Sequence, residues 1–199
     1  MSRPVPEYAK LRNATLLSRS SVPLAAGEWT EALPLPGTAG STSEIQVTVP
    51  LQAGAGVGVA KFGVAVLAPN STDTLGSAAT VWLTVGSPAT AADLQAPDGA
   101  LRALGSRRAT LSLVNSHSPP LGLSATTVSS QFTVNAGETA VSLQIYVDRV
   151  VIEAFANGGR AEVVAEEYAP GNTTAVHLYS EHSTRLANLS VHGMGCGWA

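Results

Sequence analysis

The sequence is poor in charge, in aromatic side chains and in cysteine, and each shortage excludes something. Only 13% of the 199 residues are charged, with 11 Lys+Arg against 14 Asp+Glu. A chain with this balance has no basic footprint for nucleic acid, and Arg107-Arg108 is its one adjacent basic pair. A single cysteine, Cys196, excludes an internal disulfide, so the fold stands on packing alone. The longest apolar stretch, 57-VGVAKFGVAVLA-68, is too short for a membrane span and is broken by Lys61. At the start, MSRPVPEYAK puts prolines and Glu7 where a signal peptide would have its apolar core.

What is present is apolar and turn-rich. Hydrophobic residues make up 45% of the chain and the formal charge is −3, enough apolar content and little enough self-repulsion to drive collapse. The length suits one domain with a substantial core. Nineteen glycines and twelve prolines, beside abundant Val, Thr and Ser, predict strands joined by many turns.

Residues 1-12 read as an extended linker, because Pro4 and Pro6 fix φ and remove backbone donors. The remainder, 13-199, reads as one β domain. Strand-like runs occur at 14-17, 44-49, 57-67, 79-85, 108-114, 126-134, 139-148, 150-156, 161-168, 174-180 and 185-191, with turn chemistry such as Asp98-Gly99, Asn157-Gly158 and Pro170-Gly171 between them. Many short strands spaced by turns predict an all-β fold, an antiparallel two-sheet sandwich or a barrel. The stretch 91-105 carries some helical pattern, but Pro97 divides it and a long irregular loop is expected. No fixed-period repeat is present, which argues against a propeller or solenoid within these residues.

The segment 143-LQIYVDRVVIEAFANGGRAEVV-164 concentrates the chemistry. Leu143, Ile145 and Val147 alternate with Gln144, Tyr146 and Asp148, and the run bends at Asp148-Arg149. A second strand then alternates Val150, Ile152 and Ala154 with Val151, Glu153 and Phe155, before Asn157-Gly158-Gly159 supplies residues that tolerate the positive φ of a tight turn. This is a three-strand meander. Asp148 and Glu153 could serve as a glycosidase pair only if held ~5–5.5 Å or ~6.5–9.5 Å apart in an open cleft, and nothing else in the segment builds one. A turn aspartate and a glutamate paired to Arg149 or Arg160 is the expected arrangement, with Glu162, Glu166 and Glu167 on the solvent side of the next strand.

Other chemistry is thinly supported. His117, His177, His182 and His192 lack the spacing that brings two imidazoles together, so no metal site is expected and no cofactor motif is found. No G-x-S-x-G elbow or phosphate loop occurs either. Exposed aromatics could stack on sugar rings, for which Trp29, Trp198 and Tyr179 are the candidates, whereas Trp82 sits in an apolar strand and is expected in the core. Four sequons, at Asn13, Asn70, Asn172 and Asn188, are glycosylation candidates if the chain follows a secretory route.

The run 142-SLQIYVDRVVIEAFANGGRAEVVAEEYAP-170 resembles the signature of the C-terminal β-sandwich of glycoside hydrolase family 32, the invertases and fructan-active enzymes. In that family a strand of the form L-R-I-x-V-D is followed by a bend, V-E-x-F, a Gly-containing turn and a strand ending in Y-P. Asp148, Arg149, Glu153, Phe155, Gly158, Gly159, Arg160 and Tyr168 occupy those places, and the Gly-Gly-Arg version is most similar to plant-like members. Ala169 between the tyrosine and the proline, and Val150 after the bend, depart from the pattern. The start, 4-PVPEYAKLR-12, resembles the family's propeller-to-sandwich linker, and 174-TAVHLYSEHSTRLANLSVHGM-194 its final strands.

The resemblance implies a concanavalin-like, jelly-roll type sandwich whose partner is a catalytic β-propeller absent from this chain. The family's catalytic motifs, W-x-N-D-P-N-G, R-D-P and E-C, do not occur among the 199 residues, so no catalytic residue is carried over. The implied role is the accessory domain of a β-fructosidase acting on sucrose or fructans, extracellular or vacuolar. A stand-alone carbohydrate-binding module and a truncated gene product are the alternatives. The module would need its candidate aromatics to converge.

Overall fold

In the computed structural model, residues 6–33, 35, 42–51, 60–70, 72, 78–90, 104–115, 126–167 and 174–195 are described. Within the lead-in, Pro6–Leu11 closes a 3-10 helix. Eleven strands follow: β1 (Arg12–Leu24), β2 (Thr42–Pro50), β3 (Ala60–Ala68), β4 (Ala79–Pro88), β5 (Arg107–Asn115), β6 (Thr126–Val134), β7 (Ala140–Asp148), β8 (Val151–Ala156), β9 (Ala161–Glu166), β10 (Ala175–Ser180) and β11 (Thr184–Met194). They form two antiparallel sheets, β1-β11-β2-β7-β8-β9 and β10-β3-β4-β5-β6. The expected all-β sandwich is therefore present. The stretch 91–103 lies outside the described residues.

Strict alternation creates the core between the sheets. Ile45 and Val47 on β2, Leu143 and Ile145 on β7, and Ile152 and Ala154 on β8 point inward and are buried. From the other sheet Val64, Val81, Leu83, Leu111, Leu113 and Leu178 meet them in one continuous cluster. Strand β1 is longer than the run 14-ATLL-17 suggested, because pairing with β11 carries it from Arg12 to Leu24; as an edge strand with two register shifts it has no alternating burial pattern to reveal that length.

The meander is as predicted. Asp148 pairs with Val151, Tyr146 with Glu153 and Glu153 with Val164. Arg149 takes φ 54° at the bend, while Asn157, Gly158 and Gly159 take φ 46°, 65° and 95°. The free edge of β10 is covered by the segment 27–33, through backbone bonds from Gly27 to Ser180, Thr30 to Leu178 and Leu33 to Val176.

Candidate functional site

Two outer faces remain once the core is accounted for, and they differ in chemistry. On the six-stranded sheet, strand pairing sets Thr15, His192, Glu44, Tyr146, Glu153 and Val164 in one row across β1, β11, β2, β7, β8 and β9. Gln46, Gln144 and Phe155 stand in the next row. Glu44 is fully buried although its side chain is on the outer face. It is covered because Arg12 reaches across β11 and pairs with both its oxygens, at 2.7 Å from Nη2 to Oε1. Gln46 and Gln144 donate to the same Oε1 at 2.7 and 2.6 Å, and Gln144 also donates to the Tyr146 hydroxyl.

Burial alone would push the Glu44 carboxyl up, but these hydrogen bonds and the Arg12 charge outweigh it and hold the group below the usual carboxylate range. Next to it, His192 is pushed down by burial and by Arg12, with Glu44 opposing, and it contacts the Thr15 hydroxyl through Nδ1 at 3.3 Å.

Glu153 has the opposite environment. Burial first, then the neighbouring Glu162 charge, push its carboxyl above the usual range. The expected pairing with Arg149 or Arg160 is not found. Arg160 instead binds Glu138 at 2.7 Å, tying the β8–β9 turn to the β6–β7 turn, where Glu138 also accepts from the Asn135 amide. Geometry explains the correction: Arg160 lies in the turn beyond β8, while Glu153 is mid-strand, opposite Tyr146 and Val164.

Asp148 is exposed at the strand end, diagonal to Glu153 on an open sheet face. That is no cleft. A small pocket at one end of the sandwich, lined by residues including Leu51, Phe62, Val85 and His182, holds about 30 Å³, room for a few waters at most and far below the ~300 Å³ at which ligand pockets begin. Phe155 packs edge-on against Tyr146, with ring centroids 6.1 Å apart, and is buried. Glu166 is exposed as expected, but Glu167 is fully buried: it falls in the inward phase of Ala161 and Val163, and its amide bonds the Val150 carbonyl.

The five-stranded sheet presents an aromatic ridge. Trp29, Tyr179, Gly63, Trp82, Ser112 and Ser129 form one cross-strand row. Trp29 and Tyr179 do converge, at 5.3 Å between centroids, and Trp82 joins them at 5.5 and 5.4 Å. Trp82 is thus on the outer face and not in the core as expected, since Val81 and Leu83 take the inward positions on either side. Its ring lies over Gly63 and carries the Lys61 ammonium at 3.9 Å, so its π surface is already occupied. Trp198, Tyr168, Cys196 and His117 lie outside the described residues.

Of the other described histidines, His177 is held within the fold. His177 is fully buried, with its two ring nitrogens 2.8 Å from the carbonyls of Thr30 and Pro69. His182 lies 4.0 Å from Glu181. Among the described residues no group of three His, Cys, Asp or Glu could hold a metal ion. Of the sequons, Asn13, Asn70 and Asn188 are exposed, and Asn172 is outside the described residues.

The Arg12–Glu44–Gln144 network escaped the sequence reading because its members are far apart in the chain. A signal existed: Glu44 and Gln46 alternate with Ile45 and Val47, which puts a carboxylate on a sheet face next to whichever strand pairs there.

Solved structures share this architecture. Fructan 1-exohydrolase IIa from Cichorium intybus superposes with a TM-score of 0.74 at 16% identity, over 96% of this chain and 37% of that one. Sucrose-6-phosphate hydrolase from Lactobacillus gasseri gives 0.56 at 14%, over 97% and 30%. A fructofuranosidase from Schwanniomyces occidentalis gives 0.57 at 11%, over 93% and 34%. The chain thus spans about a third of the length of these proteins. A search of curated proteins found no match. The family model described as "Glycosyl hydrolases family 32 C terminal" matches residues 7–193, nearly the whole chain. With the two-sheet sandwich and the Asp148–Arg160 meander in place, the chain belongs to glycosyl hydrolase family 32, as its C-terminal domain.

Proposed function

We propose that this sandwich is the accessory domain of a β-fructosidase that acts on sucrose or fructans, with the chemistry carried by a catalytic domain outside these 199 residues. Domains of this family normally pair with an N-terminal catalytic domain. The observation that carries the proposal is the family match over residues 7–193 in a chain whose best candidate acid pair, Asp148 and Glu153, stands on an open sheet face. A hydrolase needs both carboxyl groups converging on one enclosed bond, and this face encloses none.

The test is direct. Purified chain incubated with sucrose or inulin is expected to release no fructose above buffer, and turnover that disappears in Glu153→Gln would overturn the proposal. Convergence of Trp29 with Tyr179 favours a second reading, a sugar-binding ridge, which the same incubation tests by tryptophan fluorescence. Because both rings are half-buried and Trp82 is occupied by Lys61, no change is expected up to millimolar sugar. The proposed setting is extracellular or vacuolar, supported by the exposed sequon asparagines Asn13, Asn70 and Asn188.

A further inference from the structure

His177 makes a pair of contacts that a neutral imidazole cannot satisfy. The ring is fully buried, and each nitrogen stands 2.8 Å from a backbone carbonyl oxygen, Nδ1 from that of Thr30 and Nε2 from that of Pro69. A carbonyl oxygen only accepts, and a neutral imidazole carries one N–H, so one of the two contacts would set lone pair against lone pair. Turning the ring over gives no relief. It would put ring carbons against both oxygens at 2.8 Å, where C–H···O contacts lie at ~3.3–3.6 Å. The doubly protonated ring, with both nitrogens donating, is the form that satisfies both oxygens.

What the ring holds is the cover of the β10 edge. Thr30 is bound to β10 through its amide, which donates to the Leu178 carbonyl at 2.8 Å, and through its hydroxyl, which accepts from the Leu178 amide at 3.0 Å. Its carbonyl takes the His177 Nδ1 proton. The preceding residue, Trp29, belongs to the aromatic ridge with Tyr179 and Trp82. Leu33 anchors the far end of the segment in the main core, but nearer Thr30 the apolar contacts are small: Trp29 and Ala32 pack on a separate cluster of four alanines. The stretch Gly27–Thr30 is therefore held by hydrogen bonds more than by apolar burial. Pro69, in contrast, directly follows β3, which is paired on both sides within its sheet.

No carboxylate meets the buried charge. Among the described residues, the charged groups on the elements around the ring are Glu28 and Glu31 of the segment, Lys61 on β3 and Glu181 after β10. All four are exposed and none bonds the imidazole, while β4 carries no charged residue. Two carbonyl dipoles alone face the cation, so once a proton leaves, one contact turns from attraction to repulsion. The segment, not the sheet, is the part free to give way.

We propose that His177 is a proton-dependent latch: doubly protonated, it clamps Thr30 and Pro69 over the β10 edge, and on losing one proton it releases the Gly27–Thr30 stretch and with it Trp29 from the ridge. The sign follows from linkage. The latched form binds the extra proton, so its contribution is full in acid and is lost as pH rises through the titration of the ring. Edge and ridge are closed in acid and loosened towards alkaline pH.

The test uses the whole chain labelled with 15N. At about pH 5, within the range where histidines carry charge, ring spectra of His177 are expected to show a proton on each nitrogen. One protonated and one bare nitrogen at that pH would overturn the latch. Amide exchange of Gly27 and Thr30 is then followed from about pH 5 to about pH 8, corrected for the intrinsic pH dependence of exchange, with Ile45 in the core as the reference. Protection of Gly27 and Thr30 is expected to fall about tenfold relative to Ile45. An unchanged ratio would sink the proposal, since the proton would then hold nothing local. His177→Gln, which does not titrate, should leave Thr30 weakly protected at every pH. If that variant keeps the wild-type pH profile, another group is responsible and the assignment to His177 is wrong. Should it fail to fold, the wild-type spectra and exchange ratios decide by themselves.

Discussion

Glu44 accepts hydrogen bonds from three side chains and is fully buried, so its carboxylate is committed within the fold. Its lowered ionisation has a defined consequence for stability against pH. A carboxyl held lower in the folded than in the unfolded chain contributes stability above its unfolded value, ordinarily about 4.3, and loses it as pH falls through the folded value. Glu44→Gln leaves Arg12 without its counter-charge and turns a charge-assisted contact into a neutral one. The Arg12 side chain is 30% exposed, so solvent recovers part of the loss, and a cost of about 1–2 kcal/mol at pH 7 is expected. Thermal melts at pH 7 and pH 3.5 check this: the variant should melt lower than wild type at pH 7 and approach it at pH 3.5. An equal gap at both values would show that packing, not charge, is what was lost. Glu153 carries the reverse sign. Its raised ionisation means the folded domain is relieved, not weakened, as this group takes a proton.

At the scale of elements, alternation made the strands legible and also contained the answer for the residue that was misplaced. In 79-ATVWLTV-85, Val81, Leu83 and Val85 share one phase and Trp82 shares the other with Thr80 and Thr84, so the period places Trp82 outside. Its apolar character suggested the core, and the pleat decided otherwise. What the period cannot reveal is that Trp82 covers a glycine on the neighbouring strand, since that depends on β3 pairing with β4 in the register Gly63–Trp82. The arrangement predicts a sharp local effect. A Cβ added at Gly63 would stand 2.5 Å from Cζ3 and 2.8 Å from Cε3 of Trp82, closer than non-bonded carbons come. The ring would have to lift, disturbing Lys61 and its contacts with Trp29 and Tyr179. Gly63→Ala is expected to cost about 1–3 kcal/mol and to shift the tryptophan emission. Combined with Trp82→Leu, which removes the obstructing ring, the glycine substitution should cost measurably less than it does alone, and strict additivity of the two would refute the clash.

The order of strands within each sheet was hidden for a related reason: it is fixed by pairings between distant parts of the chain. Only the consecutive neighbours, such as β7-β8-β9 and β3-β4-β5-β6, follow from turns that the sequence displays. The Arg12–Glu44 pair was equally hidden, because it exists only once β11 has entered between β1 and β2. That insertion organises the whole molecule. Strand β1, the first, pairs along ten positions with β11, the last, and β11 in turn registers Val191 against Ile45 and Leu189 against Val47. Leu186, Leu189 and Val191 fill the core from the middle of the six-stranded sheet and are fully buried. A chain ending after residue 183 would lose these side chains, leave β1 with no partner strand in its sheet, open one side of β2 and remove the strand that Arg12 crosses. The domain is therefore expected to fold only when its last strand is present, with the slow kinetics of a sandwich built on non-local pairing, in the millisecond-to-second range. A fragment 1–183 should show no cooperative thermal transition, and adding a synthetic 184–199 peptide should restore one. A cooperative melt in the fragment alone would mean that β2 to β10 form an independent sandwich and that β11 merely seals its edge.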